Sequence, residues 1–182
     1  MIIKWAGGKK WIPLKHHNLL PTQYSTYFEP FLGSGAVFFG LQPERAVLSD
    51  INERLINLFT ELRNCPEELF DETQRLISTH SNDQYYKIRD EFNSTNPSAV
   101  NFLYLNRTCF NGVYRENMKG EFNVPIGKRN STFFPFILED FLTYSSSLKN
   151  ADLKSQDCFK TLELAEEGDF IYIDPPYLKK EN

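Results

Sequence analysis

Cysteine is scarce: Cys65, Cys109 and Cys158 are the only three in 182 residues. Their odd number and wide spacing exclude a disulfide framework, suit reduced thiols, and give no zinc-ligand pattern, so no metal is expected. No stretch approaches the long uncharged apolar run that a membrane span requires. The start "MIIKWAGGKK" has no extended apolar region followed by a small-residue cleavage site, as a secretory signal would. A water-soluble chain with a cytoplasmic location and no membrane partner is the expectation. Internal repeats and low-complexity segments are absent. So is an excess of positive charge: the formal net charge is −4, which taken alone argues against a nucleic-acid binder.

What is present is apolar and aromatic. Hydrophobic residues make up 41%, aromatics 15%, with 16 Phe, enough for one good core in a single domain with an insertion. Charge is unevenly spread. Residues 1–20 carry Lys4, Lys9, Lys10 and Lys15 with no acid, and residues 107–130 carry Arg107, Arg115, Lys119, Lys128 and Arg129 against Glu116 and Glu121. Taken alone, this distribution favours ordinary surface charge over a polyanionic partner.

"STYFEPF" and "RAVLSD" read as short strands flanking the apolar stretch "AVFFGL", the spacing of a strand–helix–strand unit. After Asp50, Ile51, Leu55, Leu58, Phe59 and Leu62 fall at helical spacing, with Asn52 as N-cap and Pro66 closing the segment. Further helices are predicted over 66–80, 82–93, 97–107 and 136–149. Residues 106–130 are dense in Asn, Gly and Arg and read as a loop or hairpin, with tight turns at Asn111-Gly112 and in "MKGEF". "ADLKSQD" is a third parallel strand, and "DFIYID" the strongest one.

Three turns carry chemistry. In "EPFLGSG", residues 29–35, Gly33 and Gly35 let backbone approach a ligand where a Cβ would clash. The turn lacks the Lys-Ser/Thr of a phosphate-binding loop and the full dinucleotide spacing, so ATP and NAD are poorly supported. Asp50 ends the second strand, either as an acceptor for ribose hydroxyls or as a helix cap. In "DPPY", Pro175 and Pro176 withdraw N–H groups and leave the Asp174 carboxylate and the Pro175 carbonyl to accept from a planar amine, with Tyr177 stacking on its ring or merely packing.

"KWAGGKK" at 4–10, "FEPFLGSGAVFF" at 28–39, "LSDINERLINLF" at 48–59, "NRTCFNGVYRENMKGEFNVPIG" at 106–127 and "DFIYIDPPY" at 169–177 resemble, in order, the DNA adenine-N6 methyltransferases of the Dam type. The resemblance implies an α/β fold: a Rossmann-like S-adenosylmethionine-dependent methyltransferase sheet with a mostly helical DNA-recognition insert carrying a β-hairpin. Residues 1–59 and 145–182 would be catalytic and 60–144 the recognition insert. It implies that Trp5 and Lys9 hold the methionine end of S-adenosylmethionine, that Glu29, Pro30, Phe31, Gly33 and Gly35 wrap it, and that Asp50 binds its ribose. Asp157 and Phe159 would hold its adenine, although Phe159 also reads as plain core. Asp174, Pro175, Pro176 and Tyr177 would receive a flipped adenine of duplex DNA. Phe110 would wedge into the stack, Asn111 and Val113 touch bases or backbone, and Arg115 contact guanine bidentately, or else a phosphate or surface acid. Lys4 and Pro125 match further DNA-contacting positions, and GATC is the implied target.

Members of this family continue well past the DPPY stretch, whereas "LKKEN" follows it here. An omitted segment, or a truncated or split enzyme with a complementing C-terminal fragment, is the corresponding expectation, and a restriction enzyme is a further expected partner. Methylation of cytosine N4, whose amine has the same donor geometry, and a non-catalytic DNA-binding remnant are the alternatives.

Overall fold

Tyr27, Phe28 and Glu29 are all buried, as befits a strand with neighbours on both sides and cover on both faces. In the computed structural model, which describes residues 1–94, 97–128 and 137–176, this segment is β1 (Tyr27–Glu29) of a four-stranded sheet. It pairs in parallel with β2 (Ala46–Asp50) on one side and with β4 (Phe170–Ile171) on the other. β3 (Ala151–Ser155) runs parallel to β2, giving the order β3-β2-β1-β4. The expected α/β class is thus present. The chain steps outward from β1 to β3 and then returns to the far side of β1. That reversal makes the space beyond the carboxyl ends of β1 and β4 a topological switch point, where open α/β sheets bind ligands.

Eight α-helices lie among the described residues: α1 (Trp11–Lys15), α2 (Ala36–Leu41), α3 (Glu53–Asn64), α4 (Pro66–Ser78), α5 (Asn82–Phe92), α6 (Ala99–Thr108), α7 (Leu138–Leu148) and α8 (Cys158–Leu162). Asn52 caps α3 as expected, its side chain accepting from the Leu55 N–H. α3 ends at Asn64 with Cys65 as its cap, so Pro66 closes the segment as expected, and it also opens α4 at the first helical position, where its missing N–H costs nothing. Ile51 precedes the cap and stands 79% exposed, so it is no part of the buried helical face. Leu55, Leu58, Phe59 and Leu62 form that face, and α3 packs against α6, α7 and β3. Phe39 of α2 meets Phe59 and Tyr144, with ring centroids 6.0 and 4.6 Å away. On the opposite face of β2, one step from Leu48, the Ser49 and Thr161 hydroxyls share a 2.6 Å hydrogen bond that seats α8.

"DFIYID" is not the strongest strand. Its ladder is limited to Phe170–Ile171, both half-buried, and Ile173 is 52% exposed. The physical reason is position: among the described residues no strand pairs with β4 on its outer side, so the apolar run lacks the second neighbour that would bury it. The expected hairpin is present in reduced form. Residues 106–128 are held by antiparallel bridges Cys109↔Ile126 and Glu116↔Phe122, with the Asn117 N–H donating to Glu121 O at 2.9 Å. Asn111 and Gly112 both take positive φ, 55° and 65°, as that pair predicts. Among the described residues no helix is long and apolar enough to cross a membrane.

Phe38 is fully buried, 6.4 Å from the Tyr27 ring. Phe38→Ala is expected to cost about 3–5 kcal/mol, read as a lower urea midpoint with an unchanged slope.

Candidate active site

Lys9 and Asp174 lie 165 residues apart in sequence, yet the Lys9 ammonium donates to Asp174 Oδ2 at 2.7 Å. It also donates to the Gly7 carbonyl at 2.9 Å, which fixes the glycine-rich N-terminal loop around it. Both side chains are about four-fifths buried, so the pair is shielded from solvent far better than a surface ion pair. Asp174 reaches this point because the Tyr172 N–H, just past β4, donates to Phe28 O at 2.8 Å and carries the chain alongside β1.

The turn after β1 is clamped to β2. Asp50 Oδ2 accepts from the Gly33 N–H and Oδ1 from the Asn52 N–H, both at 3.0 Å. Burial pushes the Asp50 pKa up, while the N–H groups of Asn52, Gly33 and Ile51 pull it back. The cap of α3 is Asn52, so the capping reading of Asp50 does not hold. Gly33 cannot carry a side chain here. It takes φ +49, and a Cβ would sit 2.9 Å from the Trp5 indole that lies across it. Trp5 in turn stacks on Tyr114, with centroids 5.4 Å apart and planes at 21°.

Glu29, Pro30 and Gly35 are buried and Phe31 half-buried. Glu29 is 2% exposed and turned into the protein, its Oε2 accepting from the Tyr27 hydroxyl at 2.8 Å and the Phe38 N–H at 3.2 Å. Burial pushes its pKa up to about 8, with the nearby Asp174 and Asp50 charges adding to the rise against those two hydrogen bonds. Asp157 caps α8, accepting from the Phe159 N–H at 2.8 Å. Phe159 is 70% exposed, which removes the plain-core reading. Both follow β3, joined to Asp50 by the Gln156 N–H donating to its carbonyl at 3.2 Å. Pro175 and Pro176 are exposed, and Tyr177 lies outside the described residues.

A second group gathers on the arm at 106–128. Phe110 is 49% and Val113 37% exposed, and Asn111, Arg115 and Pro125 are also exposed. The Phe110 N–H donates to Pro125 O at 2.9 Å, which sets those two side by side. Arg115 Nε donates to Asn123 Oδ1 at 2.9 Å, so the guanidinium is steadied while staying at the surface. Lys4 joins the group through Asn106, whose side-chain amide bonds both the Lys4 N–H (2.9 Å) and its carbonyl (2.8 Å). A cleft of about 600 Å³ is lined by the N-terminal residues Met1 to Trp5 together with Ser34, Arg107, Asn111 and Asp140; Lys9, Asp50 and Asp174 are not among its lining residues.

Sequence reasoning missed three residues. Ile51 presents an exposed apolar side chain beside Asp50; its place ahead of the Asn52 cap was the available signal. Asn106 and Tyr114 hold the arm to the N-terminal loop, and Asn106 is a lone amide inside the apolar run "FLYLN". Arg107, counted among the basic residues of this stretch, is instead 8% exposed, its pKa lowered by burial and raised in part by Asp140. The thiol of Cys109 is buried and its pKa is pushed up to about 11, so it is no nucleophile at neutral pH.

The sequence profile described as D12 class N6 adenine-specific DNA methyltransferase matches residues 5–182. The chain is 37% identical, over 96% of its length, to a protein named Type II methyltransferase M1.LlaDCHI from Lactococcus lactis subsp. cremoris, of which it covers 64%. Proteins named DNA adenine methylase are similar to it as well. That of Serratia marcescens is 37% identical, with 96% of this chain and 66% of the relative covered. That of Haemophilus influenzae is 39% identical, with 96% and 63% covered. The chain therefore spans a little under two thirds of these relatives' lengths.

With an ordinary pKa of 4.5 raised to about 8 in the folded chain, protonated Glu29 favours folding. Its contribution is complete below about pH 4.5 and is lost as pH rises through 8. Against Glu29→Gln, which mimics the protonated acid, the unsubstituted chain is expected to lose stability steadily between pH 4.5 and 8 in denaturant titrations.

Proposed function

The chain belongs to the D12 class N6 adenine-specific DNA methyltransferases, and on that footing we propose that it transfers a methyl group from S-adenosylmethionine to N6 of a flipped adenine in duplex DNA, within GATC. The observation that carries this reading is the Lys9–Asp174 contact beside the Gly33–Asp50 clamp. It unites at one switch point an ammonium for a carboxylate ligand, an acid able to accept from a nitrogen donor, and an acid at a glycine turn.

The residues fit the cofactor. Asp50 and the backbone of Gly33 and Gly35 suit its ribose and its close approach to the turn, and Trp5 and Lys9 its amino-acid end. Ile51 and Phe159, both exposed, offer apolar faces for an adenine ring beyond β2 and β3. From β3 to β4 is three strand spacings, roughly 14 Å, which an extended nucleoside with an amino-acid tail spans. When bound, the cofactor supplies an electrophilic methyl group on a sulfonium.

The amine lone pair of adenine is delocalised into its ring and must be localised before it attacks. Asp174 and the Pro175 carbonyl do this by accepting both amine hydrogens, and Tyr177 stacks on the ring. Asp174, holding one amine hydrogen, would take up the surplus proton once the amine has received the methyl group that the bound cofactor would supply. With Cys109 buried and protonated, direct transfer needs no covalent enzyme intermediate. Phe110 fills the space that the flipped base vacates, with an unstacking cost of a few kcal/mol. Asn111, Val113, Arg115, Pro125 and Lys4 read or hold the flanking DNA. Residues 1–59 and 145–182 make up the catalytic part of this assignment and 60–144 the recognition insert. Duplex DNA and a restriction endonuclease are its partners, in a cytoplasmic setting. The family membership favours adenine over the N4 amine of cytosine.

Incubation with S-adenosylmethionine labelled in the methyl group, followed by digestion of the DNA, is expected to yield labelled N6-methyladenine from GATC duplexes and none with Asp174→Ala. Labelled N4-methylcytosine, or no label with active relatives as controls, would contradict the reading. Arg115→Ala should lose about 1–3 kcal/mol of discrimination at one guanine; an unchanged preference would remove Arg115 from that role.

A further inference from the structure

Between the exposed Val113 and Arg115, the ring of Tyr114 turns the other way, as alternation along an extended segment dictates. It forms a set of three near-parallel rings with Trp5 and Phe102, centroids 5.0 to 6.5 Å apart. The Trp5 indole lies over Gly33, and the Gly33 N–H is held by Asp50. The other end of Tyr114 returns to the same place. Its hydroxyl donates to Glu116 Oε1, which also accepts from Arg54 at 3.5 Å. Asn52 and Arg54 flank the first residue of α3, and the Asn52 N–H is bonded to Asp50. One side chain of the arm is therefore tied to the Asp50 clamp through Trp5 and Gly33, and to the start of α3 through Glu116 and Arg54.

We propose that Tyr114 is a positioning residue that couples occupancy of the Asp50 cofactor site to engagement of DNA by its neighbours Val113 and Arg115. The proposal rests on the functional reading above. Closely packed rings cannot shift singly, so a ligand that settles Trp5 and the Gly33 turn also settles Tyr114 and the arm that carries it. Coupling of this kind is reciprocal: each ligand raises affinity for the other by the same factor.

The test measures dissociation constants for S-adenosylhomocysteine, which has no methyl to transfer, and for a GATC duplex, each alone and in the presence of the other. In the unsubstituted chain each ligand is expected to tighten the other by about fivefold or more. Tyr114→Leu, which keeps an apolar group in place, is expected to bring that factor close to one while each ligand still binds alone. Tyr114→Phe, which keeps the stack, should retain most of it. A purely structural role would weaken both affinities and leave their ratio unchanged. Coupling undiminished in Tyr114→Leu overturns the proposal alone, as does a factor near one in the unsubstituted chain. Failure of the unsubstituted chain to bind either ligand overturns both the proposal and the functional reading beneath it.

Discussion

Parallel pairing of β4 against β1 is the constraint on which the site depends. It places the N-terminal loop and the segment just after β4 at one edge of the same turn, so that Lys9 meets Asp174 across 165 residues. Neither residue lies on a regular element. Lys9 sits on a glycine-rich loop and Asp174 just beyond a two-residue ladder, and each owes its position to the strand pair beneath it. The return of the chain to β1 after β3 opens the switch point. The Gly33–Asp50 bond then keeps the turn above it in one conformation.

Acids crowd this end of the sheet, and the protein resolves the crowding by environment. Glu29 is buried and pushed toward neutrality, with the Asp174 and Asp50 charges adding to the effect. Asp50 is buried but fed by three backbone N–H groups. Asp174 is answered by Lys9. Such a cluster favours a cationic ligand, and the proposed cofactor carries a fixed positive charge on sulfur beside an amino-acid group. The aromatic triad of Trp5, Tyr114 and Phe102 plays the corresponding role on the other side. It packs the turn against the arm, while Asn111 and Arg115 of the arm stay at the surface.

Much of this was legible in the sequence for identifiable reasons. The early strands, the α3 cap at Asn52 and the turn at Asn111-Gly112 are local, and local rules read them. The Gly33 turn and Asp50 come together because each closes one of two adjacent parallel strands, a pairing that the strand–helix–strand spacing anticipates. The failures are of tertiary origin. Ile51 fits a helical period but lies before the cap, and Arg107 counts as basic surface in sequence yet is buried in the fold. Phe170 to Asp174 reads as a core strand because its composition is that of one, but composition cannot say how many neighbours a strand has. The inward direction of the Glu29 carboxylate is likewise set by the fold, through the Tyr27 hydroxyl and the Phe38 N–H.

Calorimetric titration of S-adenosylmethionine into the 182-residue chain, with Asp50→Ala alongside, addresses the central claim most directly. The account predicts saturable one-to-one binding that Asp50→Ala weakens by about tenfold or more, since each 1.4 kcal/mol of lost interaction is tenfold in affinity. Binding that is indifferent to Asp50, or no binding by a chain shown to be folded, would contradict it.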